Sequence, residues 1–414
     1  MQRWLAGLMM AGVCGLAMPA DAQQAAQQLT LERVFGSPDL AGTTPRALKL
    51  SPDGKYVTLL RNRTNDRDRF DLWAMDTATG EWRMLVDSKK IGTGAELSEA
   101  EKMQRERARI GGTKGIVAYD WAPDGKAILV PLDGDLYLAT LDGQTVKLEG
   151  PPGERLNAEI SPKGSFVSYV TGGRLMLVDL TDTGRGGVIT PAESNSAVRW
   201  GEAEFVAQEE MGRRTGYWWS PDDKRIAVQR FDESPVGIVS RAAIGAEGTK
   251  IYDQRYPKAG TANVLVELYV MNPDGSGRVK VDLGTETDIY LARVDWTPDG
   301  KTLLVQRQNR AQTVLDMLAV DPATGASRVL FSEKSGDKSW INLSDAYRAL
   351  SDGSLIWWSE RDGHGHLYRF KGGAWTQLTK GDWEVADIVG IDEKSGRITF
   401  TGNKDGVLER HLYT

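Results

Sequence analysis

The sequence predicts an all-β protein, a β-propeller built from four-stranded blades. Two observations lead to this prediction: a short turn motif recurs through most of the chain, and a strand-like run follows it each time. The motif is an apolar or aromatic residue and then a turn of the Ser-Pro-Asp-Gly-Lys kind. Proline presets φ at the second turn position, aspartate caps the turn, and glycine accepts a positive φ. A hairpin repeated in this way is typical of a repeat fold.

Seven copies of the turn motif can be read in order. They are LSPDGKYVTLL at 50, WAPDGKAILV at 121, ISPKGSFVSYV at 160, WSPDDKRIAVQ at 219, WTPDGKTLLVQ at 296, LSDGSLIWWS at 350 and a degenerate GIDEKSGRITFTG at 390. Several continue into a second hairpin, such as LDGDLYLATLDG at 132. Two hairpins supply the four strands of one blade. A β-sandwich or two stacked domains would not predict the same motif throughout.

The first insertion between motifs, residues 89–112, is predicted to contain a short helix. Ser98 followed by Glu101 forms a capping box, and Gly111-Gly112 is expected to end the helix. The helix would carry a cluster of three arginines, Arg105, Arg107 and Arg109.

Two further insertions follow. Residues 201–217 contain the adjacent acids Glu209 and Glu210, and residues 231–262 are interpreted as a long link before the next strand. Tryptophans, including Trp218 and Trp219 of the fourth motif, are expected to pack between blades.

The amino-terminal residues predict export. Arg3 precedes an apolar run over residues 4–18, and Ala20-Asp21-Ala22 is a small-x-small cleavage site. We therefore expect a signal peptide at 1–22 and a mature propeller domain at 23–414, soluble and periplasmic. A membrane anchor is the alternative, but the run is short and no stop-transfer segment follows. Cys14, the only cysteine, would be removed with the signal peptide.

Composition and motifs exclude several functions. The net charge of −6 argues against nucleic acid or an anionic membrane as a partner. No G-x-S-x-G or H-E-x-x-H sequence occurs, so we predict no catalytic residues, no metal site and no cofactor in this chain. Of the three histidines, His364 and His366 are interpreted as solvated residues of a hairpin turn.

The paired carboxylates Glu209 and Glu210 are the candidate site. Adjacent acids repel each other, so they are retained on solvent or opposite a cation. A solvated loop is the simpler interpretation of such a pair. The arginine cluster in the other insertion favours a binding site, because two acids and an arginine can hold a peptide's free amino terminus. The ammonium group donates to both acids while the guanidinium binds a peptide carbonyl.

Several segments resemble the dipeptidyl peptidase IV family of serine peptidases. QEEMGRRTGYWWSP at 208–221 resembles the glutamate motif of this family, and RYPKAGTAN at 255–263 resembles its tyrosine-proline-lysine-alanine-glycine segment. VDWTPD at 294, TKGDWEV at 379 and RERARIGGTKGIVAYDW at 105 are also similar. The resemblance covers nearly all of the mature chain.

The resemblance implies an eight-bladed propeller that covers an α/β-hydrolase domain with a Ser-Asp-His triad. Glu209 and Glu210 would bind the substrate's free amino terminus, which restricts cleavage to N-terminal dipeptides, preferably after proline. Arg109 best matches the arginine that binds the substrate carbonyl, and Arg105 is the fallback. A homodimer is a further arrangement that the family allows.

The sequence departs from this family at its end. It stops at Thr414, before the hydrolase domain and with seven blade starts, so we expect an incomplete propeller with unpaired strand edges. This chain alone is expected to be inactive. The alternative function is a stand-alone periplasmic propeller that binds a protein partner, which would leave the glutamates and the arginine cluster unexplained.

Overall fold

The computed structural model describes residues 29–150, 153–182, 186–245, 248–336 and 338–414. The predicted signal peptide, residues 1–22, lies outside the described residues and stays a prediction. Within the described ranges, no helix is both long and apolar enough to cross a bilayer.

Seven small antiparallel sheets follow one another as the blades of a β-propeller, which confirms the predicted fold class. Blades 1 to 3 have four strands each, in sequence order. Their strands are β1 (Arg46–Leu50), β2 (Tyr56–Arg63), β3 (Asp66–Asp76) and β4 (Trp82–Val86), with the short β5 (Lys114–Gly115) beside β3; then β6 (Asp120–Trp121), β7 (Ala127–Leu132), β8 (Asp135–Thr140) and β9 (Thr145–Lys147); then β10 (Leu156–Ile160), β11 (Phe166–Thr171), β12 (Arg174–Asp179) and β13 (Gly186–Val188).

Blade 4 carries two insertions. Its strands are β14 (Val198–Glu202), β15 (Thr215–Trp219), β16 (Ile226–Asp232), β19 (Leu265–Met271) and β20 (Val279–Lys280). A separate hairpin, β17 (Ile238–Gly245) with β18 (Gly248–Arg255), lies between β16 and β19. The interpretation of residues 231–262 as a plain link was therefore wrong. The alternation of apolar and polar residues that marks a half-buried strand is missing there, because both faces of the hairpin are mostly exposed.

Blades 5 to 7 complete the described sheets. Their strands are β21 (Ile289–Trp296), β22 (Leu303–Asn309), β23 (Val314–Val320) and β24 (Ser327–Lys334); β25 (Arg348–Ala349), β26 (Leu355–Ser359), β27 (His366–Lys371) and β28 (Ala374–Gln377); and β29 (Val385–Asp392), β30 (Arg397–Gly402) and β31 (His411–Tyr413). Each predicted turn motif joins two consecutive strands of its blade, such as β1 to β2 and β15 to β16.

In the ranges that the structure describes, four short helices accompany the blades. They are α1 (Leu31–Phe35), α2 (Ser88–Ile91), α3 (Glu99–Arg107) and α4 (Phe205–Glu209). The predicted cap of α3 is present, since the Ser98 hydroxyl accepts from the Glu101 backbone N–H at 3.1 Å. The helix ends at Arg107 and not at the glycine pair.

Apolar clusters hold each blade to the next. Trp219 stacks on Phe166 of blade 3 with ring centroids 5.3 Å apart, and its indole donates to the Ser168 hydroxyl at 2.9 Å. Trp296 of blade 5 donates to the Trp218 carbonyl at 3.0 Å. These contacts confirm the expectation for Trp218 and Trp219, whereas Trp82 and Trp340 are exposed. Among the described residues, buried clusters join each blade to its successor from 1 to 7.

Asp223 explains why the fourth turn motif reads Asp-Asp where others read Asp-Gly. It occupies the left-handed position usually given to glycine, with φ +60°. Its carboxylate crosses to the turn of blade 3, where it accepts from the Ser161 hydroxyl at 2.6 Å and from the Lys163 and Ser165 backbone N–H groups. The cost of the backbone conformation is thus offset by capping the neighbouring blade.

His366 is not a solvated turn residue, as the sequence had suggested. The side chain is fully buried, and its ring nitrogens lie 3.0 Å from the Thr379 hydroxyl and 3.0 Å from the Gly381 carbonyl. Trp383 packs edge-on against the ring. The histidine therefore joins β27 to the loop before blade 7.

The first strands of several blades carry carboxyl groups at the same register, two residues before the turn. Burial raises the pKa of Glu159 in blade 3 to about 8, and the neighbouring charge of Asp120 in blade 2 adds to the shift. Burial likewise raises the pKa of Asp295 in blade 5 to about 7, against the opposing effects of Arg348 and Arg293.

The raised pKa of Glu159 predicts a loss of stability as pH rises from about 4.3 to about 8. The folded state keeps the Glu159 proton while the unfolded chain, with a glutamate pKa of about 4.3, releases it. The stabilisation that this proton contributes should therefore be fully present below about pH 4.3 and be lost as pH rises through about 8. Between pH 5.5 and pH 9, the midpoint of thermal unfolding should fall less in Glu159→Gln than in the unchanged protein.

The exposed acid Glu81 offers a matched control. Glu81→Gln should keep the pH dependence of the unchanged protein. An identical alkaline loss in all three proteins would contradict the assignment to Glu159.

Candidate functional site

The candidate site lies on an insertion that interrupts the first strand of blade 4. Strands β14 and β15 both pair with β16, and residues 203–214 leave the sheet between them. The position where the chain re-enters the sheet requires a glycine, Gly216, because a Cβ there would lie 2.2 Å from the Glu202 carbonyl oxygen. The chain can thus carry a projecting segment without breaking the blade.

A buried ion pair closes the base of this insertion. The Arg213 guanidinium donates to the Glu204 carboxylate at 3.0 Å, and Glu204 and Arg213 are 1% and 6% exposed. Arg213 also donates to the carbonyls of Thr215 and Leu291, while Gln229 donates to Glu204 at 2.7 Å. Burial lowers the pKa of Arg213, and Glu204 opposes that shift. The two ends of the insertion are therefore tied to each other and to blade 5.

Helix α4 stands on this base and packs on blade 5. Its Ala207, with Met211 just beyond the helix, forms a buried cluster with Tyr290 and Ala292 of β21. This packing sets the direction in which the carboxyl end of α4 points. It leaves Glu209 partly exposed and Glu210 fully exposed at the carboxyl end of α4.

Arg107 of α3 is the closest cation to the glutamate pair. Its guanidinium donates to the Gln208 amide oxygen at 3.0 Å, lies 5.0 Å from the Phe205 ring centroid and has Nε 3.8 Å from Glu209 Oε1. Burial lowers the pKa of Arg107, while the Glu209 charge acts in the opposite direction. The sequence indicates Arg107 only as one member of the arginine cluster. Its aromatic partner, Phe205, is 98 positions away, so no local sequence pattern marks the contact.

Arg109 lies just beyond α3 and reaches the same acid. Its Nη2 is 4.0 Å from Glu209 Oε2, and its side chain is 84% exposed. The residue has φ +59°, and the N–H groups of Arg109 and Ile110 return to the carbonyls of Glu106 and Arg105. This is the position after a helix where glycine is preferred. An arginine there bears a local conformational cost that packing does not explain.

Arg105 points elsewhere. It is 6% exposed, donates to Glu101 at 2.7 Å and to the Thr113 carbonyl at 3.1 Å, and so anchors α3 to its own loop. The structure therefore brings Glu209, Arg107 and Arg109 together and leaves the fallback, Arg105, in a structural position. Glu210 has no side-chain partner in the described ranges and faces solvent beside them.

The described residues contain no group of three or more His, Cys, Asp or Glu side chains placed to hold a metal ion. The site consists of two carboxylates at a helix end, one of them flanked by two guanidinium groups.

Comparison with known proteins identifies the family. Residues 122–414 match the model of the dipeptidyl peptidase IV (DPP IV) N-terminal region. The chain belongs to this family. The resemblance to dipeptidyl peptidases noted from the sequence is thereby confirmed.

Individual dipeptidyl peptidases are also similar to this chain. A probable dipeptidyl peptidase 4 of Emericella nidulans is 28% identical over 306 residues, which cover 68% of this chain and 39% of the relative. Dipeptidyl peptidase 8 of Mus musculus is 27% identical, covering 80% of this chain and 47% of the relative. The chain thus spans less than half the length of these relatives.

A solved structure shows the same fold. The crystal structure of Porphyromonas gingivalis dipeptidyl peptidase 4 matches 89% of this chain and 51% of that chain, with a TM-score of 0.69 and 22% identity.

The buried pair at the base of the insertion should dominate its stability. Arg213→Met leaves the Glu204 carboxylate buried without its cation and should cost about 3–5 kcal/mol of unfolding free energy in urea titrations. The adjacent Arg214 has an exposed side chain, so Arg214→Met should change stability by about 0.5 kcal/mol or less. Equal losses in the two variants would show that the pair does not hold the insertion.

Proposed function

We propose that this propeller recognises peptide substrates for a dipeptidyl peptidase IV-type serine peptidase. It would bind the free amino terminus of a peptide, so that a hydrolase domain of the full-length protein releases N-terminal X-Pro dipeptides. The observation that carries the proposal is the placement of Glu209 and Glu210 at the end of α4, beside Arg107 and Arg109, in a member of this family.

The geometry suits an ammonium group. Glu209 is held by arginines at 3.8 and 4.0 Å, which are ion-pair and not hydrogen-bond distances. Its lone pairs therefore stay free for a ligand, as do those of the exposed Glu210. A peptide ammonium has three donors, and two carboxylates supply charged acceptors for them.

The backbone of Arg109 supports a role for its side chain. Glycine would occupy φ +59° without strain, so retention of arginine there suggests a use for the guanidinium. It is exposed and close to Glu209, where it could bind the carbonyl oxygen of the first peptide residue. Arg105 lacks such access.

Binding of C-terminally labelled X-Pro peptides, followed by fluorescence anisotropy, tests the proposal. Glu209→Gln and Glu210→Gln should each weaken binding by about 2 kcal/mol, roughly thirtyfold in Kd, because each removes a charged acceptor. Arg109→Gly should also weaken binding, yet leave thermal stability equal or higher, since glycine suits that backbone conformation.

The matched controls are a peptide with an acetylated amino terminus and the remote variant Glu81→Gln. The acetylated peptide should bind weakly to every protein, and Glu81→Gln should bind the free peptide normally. The proposal fails if acetylation leaves Kd within threefold, or if either glutamine variant at the pair binds as well as the unchanged chain.

We also propose that the protein is secreted and works in the periplasm. The support is the sequence of residues 1–22, with its basic start, apolar run and Ala-Asp-Ala site. Mass spectrometry of the protein from a periplasmic extract should find a chain that begins at Gln23. A chain that keeps Met1 and stays with the cytoplasmic fraction would contradict secretion.

A further inference from the structure

A cavity of about 430 Å³ is lined in part by Phe205 and Gln208 of α4, the helix that carries Glu209. Helix α3 covers it, β14 and the residues before it form its floor, and the end of β18 closes one side. Arg241 of β17 is paired with Glu106 of α3 at 3.2 Å, so the hairpin and the helix are joined over this space. The cavity thus lies where blade 4 meets two inserted segments, α3 and the β17–β18 hairpin.

Part of the cavity wall is apolar. Met103 of α3, Leu156 of β10, Phe205 of α4 and Phe231 of β16 line it. Such walls suit a chain of methylene groups, like the stem of a lysine or arginine side chain.

The polar part of the wall contains an acid without a partner. The Glu233 carboxylate makes no hydrogen bond or ion pair with any of the described residues, although it is only partly exposed. Burial raises the pKa of Glu233, while Arg199 and Arg107 act in the opposite direction. A desolvated carboxylate of this kind gains most from a ligand that brings a donor and a positive charge.

The other charged side chains that line the cavity have partners of their own, apart from the exposed Arg214. Arg199 donates to both carboxylate oxygens of Glu202, at 3.0 and 3.3 Å, and Arg107 is held by Gln208 and Glu209. Arg255 donates to the Val236 carbonyl at 2.8 Å. Of the other lining acids, Glu99 pairs with Lys102 at 2.9 Å and Asp253 accepts from the Ser240 hydroxyl at 2.5 Å. Among the described residues, Glu233 is therefore the lining acid without a side-chain partner.

The cavity and the glutamate pair share a wall. Arg107 and Gln208 line the cavity, and the same guanidinium lies 3.8 Å from Glu209. A peptide held by its ammonium at Glu209 would therefore have its first side chain within reach of the cavity.

We propose that this cavity receives the side chain of the first peptide residue and that Glu233 selects lysine or arginine there. The inference rests on the proposed function. The basic side chain would lie along Phe205 and Phe231, with its cationic end against the Glu233 carboxylate.

Matched peptides test the selection. Lys-Pro-Gly-Tyr and norleucine-Pro-Gly-Tyr, each labelled at the carboxyl end, differ only in the terminal ammonium of the first side chain. The unchanged protein should bind the lysine peptide about tenfold more tightly, since a hydrogen bond to a charged group is gained. Glu233→Gln should bind both equally, with the norleucine Kd unchanged. Retained lysine preference in Glu233→Gln, or no preference in the unchanged protein, would overturn the inference.

A second measurement does not depend on the glutamate pair. Butylammonium chloride, which matches the lysine side chain, should raise the thermal midpoint of the unchanged protein and of Glu209→Gln more than that of Glu233→Gln. Tetramethylammonium chloride at the same concentration controls for salt. Equal shifts in all three proteins would refute a cation site at Glu233. If instead peptide binding ignores acetylation of the amino terminus while the butylammonium shift still needs Glu233, the proposed function fails and the cation site stands.

Discussion

The ion pair between Glu204 and Arg213 is the interaction on which the candidate site depends. It joins the first and last parts of the insertion formed by residues 203–214. Because both groups are almost fully buried, loss of either partner leaves an uncompensated charge, which costs far more than loss of a surface pair. Helix α4 can therefore project from the sheet and still present its carboxyl end in a defined direction.

Helix α3 meets α4 from a different part of the chain and completes the arrangement. Arg107 packs on Phe205 and holds Gln208, so the two helices are oriented against each other before any ligand binds. The aromatic and the charged residues of this segment therefore have different positions. Trp218 and Trp219 connect blades, whereas Glu209 and Glu210 face outward. A preorganised site of this kind does not have to order its own side chains when it binds.

The blades form a scaffold whose own polar contacts are mostly structural. Asp223 caps the turn of a neighbouring blade, and His366 bridges a strand and a loop. Burial raises the pKa of both Glu159 and Asp295, and Asp295 accepts a hydrogen bond from the Tyr347 hydroxyl within the propeller. The glutamates of α4 differ because their acceptors remain free.

The sequence by itself determined the propeller, its seven turn motifs and the glutamate pair, because turn chemistry is local: proline, aspartate and a residue that tolerates positive φ occur within four positions. It also located the α3 cap. The family resemblance ranked Arg109 ahead of Arg105, but only packing shows that Arg105 is buried, since both residues lie on one short segment. The pairing of Glu204 with Arg213, the stacking of Arg107 on Phe205 and the cavity at Glu233 were decided by tertiary structure alone. Each joins residues from separate elements, and such contacts leave no periodic signal along the chain.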